Sequence, residues 1–379
     1  MDFLSVLGWL VTVLALCGAG YSIASAHFAG RFARKSDTAA AEFSAVTILK
    51  PLHGAEAALE ENLATFFEQD YPSPFQLVFG VQDETDPAIV VVERLRRRYP
   101  AVDAALVVDP RRHGANAKVG NLINMHGQSR HDVLVLSDSD IVVPRDYLRK
   151  VAGALEPADV GAVTCLYTGW GALGLGSRLC AMGIDYQFLP NAIVAISFGL
   201  AEPCSGSTIA LTRAMLDEIG GLEAFAGYLA DDYEIGRAVR ASGRRIAIPA
   251  MTVGHACSEE SLRDWLAHEL RWARTIRVVA PAGHAGSIVT YAIPLGFLGV
   301  ILSGFTVFAL VSLAATLAAR AMLKWRIDRL FGCNGGPVWL LPLRDVLSFG
   351  VLVVSLFGSS VEWQGERLRV KQDGALLNR

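Results

Sequence analysis

The chain has 379 residues, 52% of them hydrophobic, and a mean hydropathy of +0.37. This is too apolar for an ordinary soluble enzyme, where about 45–50% is usual with glycine counted in, and it predicts that part of the chain lies in a membrane. The net charge of −3 gives no indication of nucleic-acid binding. Six scattered cysteines without a CxxC pair argue against a zinc site or a disulfide framework.

The first apolar run covers residues 3–28 and is long enough for a membrane-spanning helix of about 20 residues. A cleaved signal peptide carries its positive charges before the apolar run, whereas here three basic residues follow it, between positions 31 and 35. We therefore expect a signal anchor over residues 1–30, with Met1 outside and the chain from Arg31 onward in the cytoplasm.

Strand-like and helix-like segments alternate from about residue 45 to residue 277, which predicts a soluble α/β domain with a parallel sheet and right-handed crossovers. Strands are expected at residues 46–49, 75–81, 105–108, 133–136, 160–166 and 209–211, and helices at residues 56–69, 89–99 and 145–155. Residues 179–200 are long and apolar enough for a membrane span. Their internal polar residues favour a buried or membrane-facing wall for an acceptor instead.

Two aspartates, Asp138 and Asp140, follow the strand expected at residues 133–136. Open α/β sheets bind ligands beyond the carboxyl ends of such strands, and carboxylate oxygens suit Mg²⁺ or Mn²⁺ carrying a substrate diphosphate. The same pattern also describes a turn that ends a strand and caps the next helix. Another expected strand ends in acid as well, near Asp83.

Two further segments supply candidate site residues. Lys118 and Asn121 lie in a glycine-containing loop that opens a helix, which suits phosphate binding or an ordinary solvated loop. Asp232 lies in an acidic cluster at the start of a helix, where an aspartate can act as a general base or simply as a helix-dipole partner. We expect His255 to be a loop histidine rather than a metal ligand.

The helix expected over residues 266–277 carries His268, Arg271 and Trp272. Its basic and aromatic end is typical of a helix at a membrane interface. A guanidinium in this place also suits bidentate contact with a diphosphate.

Several of these residues occur in the order of a known enzyme signature, D, DxD, D, (Q/R)xxRW: they are Asp83, Asp138, Asp140, Asp232, Arg271 and Trp272. The chain thus resembles processive-type family 2 and ceramide-glucosyltransferase-like enzymes. Residues 46–54, 81–88, 116–122, 228–233 and 361–370 look more like the second group, and within it like the bacterial hopanoid-biosynthesis-associated glycosyltransferases. His268 stands where the signature has Gln or Arg, which leaves its role open.

The resemblance implies a GT-A fold, a Rossmann-like nucleotide-diphospho-sugar transferase domain, over residues 31–277. A membrane-associated region with a basic tail would follow at residues 278–379. The implied reaction is metal-dependent, inverting transfer of one sugar from a UDP-sugar, UDP-N-acetylglucosamine, to a hydroxyl of a membrane lipid, bacteriohopanetetrol. The implied location is the cytoplasmic membrane of a bacterium, with several spans and a cytoplasmic catalytic domain.

The resemblance also implies residue roles. Asp83 would contact the nucleotide, and Asp138 and Asp140 would hold the sugar nucleotide with its Mg²⁺ or Mn²⁺. Asp232 would take the acceptor proton. Arg271 and Trp272 would complete the donor and acceptor site, with donor binding as the expected role of Lys118, Asn121 and His268.

Other interpretations stay open. A UDP-glucose:ceramide glucosyltransferase fits the same motifs, a polysaccharide synthase would usually need more spans, and a membrane scaffold would have no need of the acidic series. The apolar segment at residues 288–319 can cross twice only with a hairpin near Gly304. The segment at residues 338–357 contains Arg344 and Asp345, which would pair, snorkel or mark a re-entrant segment.

Overall fold

The structure, a computed structural model, describes residues 3–35, 42–55, 58–171, 173–357, 360–363, 366–370 and 376–377. Met1, residues 56–57 of the second predicted helix and residues 364–365 of the tail motif lie outside them. The chain divides into two compact units. The helical unit comprises residues 1–34, 168–200 and 259–373, and the sheet unit comprises residues 35–167, 201–258 and 374–379. These units interleave along the sequence, unlike the predicted division near residues 30 and 277.

The strands are β1 (Val46–Pro51), β2 (Phe75–Val81), β3 (Asp103–Val108), β4 (Val133–Leu136), β5 (Ile141–Val142), β6 (Val160–Thr164), β7 (Leu166–Trp170), β8 (Ile209–Thr212), β9 (Arg245–Ala247), β10 (Thr252–Ala256), β11 (Ser360–Trp363), β12 (Glu366–Val370) and β13 (Leu376–Leu377). The helices are α1 (Phe3–Phe32), α2 (Leu59–Phe67), α3 (Ala88–Arg98), α4 (Ala117–His126), α5 (Tyr147–Leu155), α6 (Leu175–Gly183), α7 (Leu189–Ser197), α8 (Arg213–Glu218), α9 (Asp231–Ala241), α10 (Leu262–Val279), α11 (Pro281–Gly286), α12 (Ala292–Leu302), α13 (Val307–Phe331) and α14 (Leu341–Ser355). A π-helical turn (Ile184–Phe188) joins α6 to α7, and short 3₁₀ segments are Leu222–Phe225, Ser287–Thr290 and Val338–Leu340.

The main sheet has the order β3-β2-β1-β4-β8-β6-β9. β1 pairs in parallel with β2 and β4, so the carboxyl ends of these strands lie at one edge. β8 is antiparallel to β4 and β6, so the prediction of a parallel sheet is wrong for this strand. The reason is local. Gly206 lies just before β8, and its carbonyl accepts a hydrogen bond from the N–H of Asp138 at the carboxyl end of β4. Because β8 begins at this edge of the sheet, it runs in the direction opposite to β4.

Both faces of the sheet are covered, as in sheets whose strands are continuous apolar runs. Successive residues of β1, Ile48 and Leu49, belong to different apolar clusters, and so do Leu134 and Val135 of β4. Side chains alternate between faces along a strand, so each strand contributes to two cores. Packing in these two cores fixes the strand ends, and the aspartates follow those ends.

Small residues let helices of the helical unit approach closely. A Cβ placed on Gly8 of α1 would lie 2.6 Å from the backbone nitrogen of Ser303, and one on Gly299 would lie 2.4 Å from the Oγ1 of Thr12. Such contacts are typical of helix packing in membranes. The turn between α12 and α13 has positive φ at Gly304, +68°. It lies where the sequence predicts a hairpin.

Four helices of the described residues are long and apolar enough to cross a membrane: Phe3–Phe32, Leu175–Ser197, Val307–Phe331 and Val338–Ser355. A bent pair, Pro281–Thr290 with Ala292–Leu302, forms a fifth candidate when taken together. The second helix covers most of residues 179–200, for which the sequence favours a buried or membrane-facing wall. It meets the length and composition of a span while most of it is buried within the protein.

Arg344 and Asp345 pair, which is one of the three alternatives that the sequence left open. Both carboxylate oxygens of Asp345 lie 2.9 Å from the guanidinium of Arg320, and Arg344 lies 3.3 Å from Oδ1. Arg320 also donates to the carbonyl of Tyr186 in the π-helical turn, at 2.9 Å. Charged groups inside a membrane unit are costly unless paired, so this network explains how α13 and α14 contain them.

Candidate functional site

The loop after β4 is held on both sides by backbone hydrogen bonds. The N–H of Ser137 donates to the carbonyl of Leu49, and that of Asp138 donates to Gly206. Beyond the loop, Ala256 donates to the carbonyl of Asp140 at 2.8 Å. The positions of Asp138 and Asp140 are therefore fixed by the strand edge rather than by their own side chains.

Lys118 brings acids from different elements together. Its Nζ, near the start of α4, lies 2.7 Å from Oδ1 of Asp138 and 3.1 Å from Oδ2 of Asp231, and its side chain is 19% exposed. Burial by itself would lower the pKa of Lys118, but Asp138, Asp231 and Asp232 outweigh it and hold that pKa well above its usual range. Lys118 is thus a fixed positive charge between carboxylates.

The start of α4 is anchored by Asn116. Its Oδ1 accepts from the N–H of Val119 as a helix cap, and its Nδ2 donates to the carbonyl of Tyr228 and, at 3.3 Å, to Asp231. One amide therefore orients both the helix that carries Lys118 and the loop that leads into α9.

Asp232 lies in the first turn of α9 and accepts two backbone hydrogen bonds. Its Oδ2 accepts from Gly206 at 3.0 Å and its Oδ1 from Tyr233 at 2.7 Å. Burial, and next the charge of Asp231, raise the pKa of Asp232 to about 6, against the opposing effect of Lys118. A carboxylate with this pKa is ionised near neutral pH and is a stronger base than an exposed aspartate.

Gly206 connects Asp138 with Asp232. Its carbonyl accepts from the N–H of Asp138, and its own N–H donates to Asp232. A Cβ at this position would lie 2.5 Å from Oδ2 of Asp138 and 2.9 Å from Nζ of Lys118. Only glycine leaves room for the side chains of Asp138 and Lys118 as they stand.

Lys50 is a site residue that the sequence analysis missed. It is fully buried in β1, donates to the carbonyl of Asp138 and, at 3.3 Å, to the hydroxyl of Ser137, and lies over the ring of Phe66. Burial lowers the pKa of Lys50 to about 7, although Asp140 and Asp138 act in the opposite direction. A lysine inside an apolar strand was the available indication, because buried cations need a partner.

Asp140 has the features of a cation ligand. Its Oδ1 is buried and makes no hydrogen bond within the described part of the chain, and its Oδ2 lies 3.6 Å from Nδ1 of His255. The register of β10 against β5, in which His255 pairs with Ile141, places the imidazole there. An oxygen-rich edge of this kind fits Mg²⁺ or Mn²⁺.

Asp83 and Asn121 occupy different environments. Asp83 is exposed beyond β2, and its Oδ1 accepts from the N–H and the hydroxyl of Thr85, which lowers its pKa. Asn121 is buried and donates to the carbonyl of Gly80 at 2.7 Å and to that of Leu52 at 3.4 Å. The amide of Asn121 thus joins α4 to the ends of β1 and β2.

His268, Arg271 and Trp272 lie on α10, in the helical unit. The ring of His268 contacts the ring of Trp272 edge-on, with centroids 4.5 Å apart, and its Nδ1 hydrogen-bonds to Glu259. Helix α10 begins with a capping box in which Ser261 and Asp264 exchange hydrogen bonds.

Comparisons with known proteins agree with the sequence pattern. The model of glycosyltransferase family 21 matches residues 10–376. Ceramide glucosyltransferase 3 of Caenorhabditis elegans is 29% identical over 242 residues, 60% of this chain and 50% of that protein. Ceramide glucosyltransferase of Komagataella phaffii is 24% identical over 459 aligned positions, 96% of this chain and 89% of that protein. The chain thus spans about half the length of the nematode relative.

A solved structure shares the fold. A mannosyltransferase from Pyrobaculum calidifontis, in complex with GDP-Man and Mn²⁺, matches with a TM-score of 0.50 and 20% identity, over 93% of this chain and 99% of that one. The expected GT-A fold is therefore confirmed.

Proposed function

The chain belongs to glycosyltransferase family 21, and from this premise we propose that it moves one sugar from a UDP-sugar to a hydroxyl of a membrane lipid, with inversion. The observation that carries the proposal is the link through Gly206, which ties Asp138 on the donor side to Asp232, the candidate base. Single displacement needs these two functions side by side.

In the proposed reaction Asp232 accepts the proton of the lipid hydroxyl. The oxygen of that hydroxyl forms a bond to the anomeric carbon while the bond from that carbon to the UDP oxygen breaks, so UDP leaves with the electron pair. The raised pKa of Asp232 suits this step, because a base with a pKa of about 6 is ionised at neutral pH and still accepts a proton. No covalent intermediate is required.

The donor is proposed to bind through the acids and lysine of the sheet edge. Asp83 would contact the nucleotide, Lys118 the diphosphate, and Asp138 and Asp140 would hold Mg²⁺ or Mn²⁺. The orphan Oδ1 of Asp140 supports this assignment, as does the Mn²⁺ in the mannosyltransferase. Such a cation neutralises the charge that develops on the leaving diphosphate. Nδ2 of Asn121 is used within the fold, so Asn121 would serve donor binding by positioning α4, which carries Lys118.

By their place in the family signature, Arg271 would contact the diphosphate and Trp272 would line the acceptor site. His268 would serve donor binding through its neighbour Trp272.

The four candidate spans support a lipid acceptor and a multi-pass membrane protein. We propose the cytoplasmic membrane of a bacterium, with the sheet unit on the cytoplasmic side, because basic residues follow the first span.

We propose two pairs of sugar donor and lipid acceptor and rank them. UDP-N-acetylglucosamine with bacteriohopanetetrol comes first, from the resemblance of the motifs to hopanoid-associated enzymes. UDP-glucose with ceramide is the second candidate, and the names of the relatives support it. Both acceptors present a hydroxyl above an apolar body, so the same site chemistry serves either.

The test uses the full chain purified in detergent with Mg²⁺ or Mn²⁺. Each UDP-sugar is combined with each lipid, and products are read by mass spectrometry. We expect one N-acetylhexosamine on bacteriohopanetetrol, absent without metal and absent in Asp232→Asn.

The other outcomes separate the alternatives. Hexosylceramide alone would transfer the assignment to the second pair, and a ladder of sugar additions would indicate a polysaccharide synthase. Failure of all four pairs, with folding verified by thermal unfolding, would contradict both substrate assignments and favour a scaffold.

A further inference from the structure

A second cluster of metal-ligand side chains lies entirely within the helical unit. It consists of Cys180 on α6, Glu259 just before α10, and His268 on α10, and one ligand atom of each lies within 4.8 Å of the others. Sγ of Cys180 is 4.0 Å from Nδ1 of His268, and the same nitrogen hydrogen-bonds to Glu259. We propose that these side chains bind one Zn²⁺ ion.

The types of ligand atom indicate which metal the cluster would bind. A thiolate, an imidazole and a carboxylate are the ligands of zinc, whereas Mg²⁺ and Mn²⁺ prefer oxygen alone. Three protein ligands leave a fourth tetrahedral position for water or another donor. No local sequence pattern indicates this site, because Cys180 and His268 are 88 positions apart.

Charge favours the same conclusion. Cys180 and Glu259 are buried and His268 is only partly exposed. A thiolate, a carboxylate and a neutral imidazole carry two negative charges, which one Zn²⁺ balances, so the filled site is neutral and its burial costs less than that of separate ions. Binding releases the thiol proton, because the thiolate is the form that binds zinc.

The surrounding backbone brings the ligands together. A Cβ on Gly176 of α6 would lie 2.5 Å from the carbonyl oxygen of Ser261 and 2.8 Å from that of Glu259. Glycine therefore permits α6 to approach the segment that precedes α10. A bound ion would fix the start of α10 against α6 and, through the ring of His268, the position of Trp272.

The experiment uses full-length protein in detergent, without a polyhistidine tag, after treatment with a chelator. Co²⁺ is added alone, as a spectroscopic substitute for zinc, and then displaced by Zn²⁺. We expect a thiolate-to-cobalt charge-transfer band that saturates at one equivalent of Co²⁺ per chain, and a higher unfolding temperature with Zn²⁺. Cys180→Ser and His268→Gln should each lose the band and weaken binding by about 100-fold or more, beyond what loss of an outer-sphere partner costs.

Two controls isolate the site. Cys165→Ala removes a buried cysteine of the sheet unit and should keep the band. Asp140→Asn removes a ligand proposed for the catalytic cation and should also keep it. Binding by Cys180→Ser equal to that of wild type, loss of the band in Cys165→Ala, or no zinc-dependent rise in unfolding temperature would each overturn the proposal. None of these readouts depends on glycosyl transfer.

Discussion

The ammonium of Lys118 lies 2.7 Å from Oδ1 of Asp138, and the same ammonium lies 3.1 Å from Asp231. Three carboxylates, those of Asp138, Asp231 and Asp232, act on this one cation. Without it, like charges would repel one another in a partly buried place. Lys118 therefore maintains the arrangement that the proposed donor and base require.

Replacing Lys118 by methionine should abolish most transfer. The variant keeps the length of the side chain but removes the charge, so the acids separate and the diphosphate loses a partner. We expect kcat/KM to fall about 100-fold or more, the range for loss of one preorganised electrostatic group. The control is Lys150→Met, which removes an exposed i,i+4 pair with Asp146 and should keep near-normal activity. Equal rates in both variants would contradict the role of Lys118.

Activity should depend on the ionisation of Asp232. Because its pKa is raised to about 6, kcat/KM should fall as the pH decreases through about 6, where the base becomes protonated. Asp232→Asn should be inactive across this range. A wild-type profile that stays flat between about pH 5 and pH 8 would exclude Asp232 as the base.

Stability should respond to Asp232 in the opposite direction. An unfolded aspartate titrates near about 3.9, below the folded value of about 6. The folded state therefore binds the proton more tightly, and this contribution is fully present below about pH 4 and is lost as the pH rises through about 6. Thermal unfolding of wild type and Asp232→Asn across this window measures the difference, which should be absent in the variant.

Gly206→Ala should damage activity more than stability. The added methyl group meets the ends of the Asp138 and Lys118 side chains, which can move aside at little cost to folding, but their new positions no longer fit the donor. Gly127→Ala is the matched control, because its Cβ would meet no atom of the described residues within 4 Å and its φ of −62° suits alanine. We expect kcat/KM to fall at least about 100-fold in Gly206→Ala while the unfolding temperatures of both variants stay similar. Equal activity of the two would contradict the account.

Sequence reasoning found the strands and acids of the site because each is a local pattern. The run at residues 133–136 followed by Asp138 and Asp140 needs no knowledge of distant residues. The signature order also indicated the fold and family. The hairpin position followed from length, since an apolar segment of that size fits one span poorly.

Features that depend on tertiary pairing could not be predicted from the sequence. The antiparallel direction of β8 follows from the contact between Asp138 and Gly206, which no periodicity encodes. Burial of Lys50 behind the acids depends on the pairing of β1 with β4. The cluster around Cys180 likewise requires two helices distant in sequence to meet.

Breaking the Arg320–Asp345 pair should destabilise the helical unit strongly. Both side chains are almost fully buried, at 3% and 1% exposure, so Arg320→Met leaves the buried Asp345 carboxylate with only its longer contact to Arg344. Arg320→Met should lower the free energy of unfolding by about 3–5 kcal/mol. Asp345→Asn should cost more, because it removes the carboxylate that both Arg320 and Arg344 contact and so leaves two buried guanidinium groups with one counter-charge fewer.

The matched control is Glu60→Gln, which removes the partner of Arg94 at a surface of the sheet unit. That pair is largely solvated, so its loss should change stability by about 1 kcal/mol or less. Unfolding in detergent, followed by circular dichroism at a series of denaturant concentrations, measures all three variants. If Arg320→Met unfolds at the same denaturant concentration as Glu60→Gln, the buried pair does not stabilise α13 against α14. We expect the order Asp345→Asn, Arg320→Met, Glu60→Gln, from least to most stable, because these variants remove a buried shared carboxylate, one of its two guanidinium partners, and one partner of a surface pair.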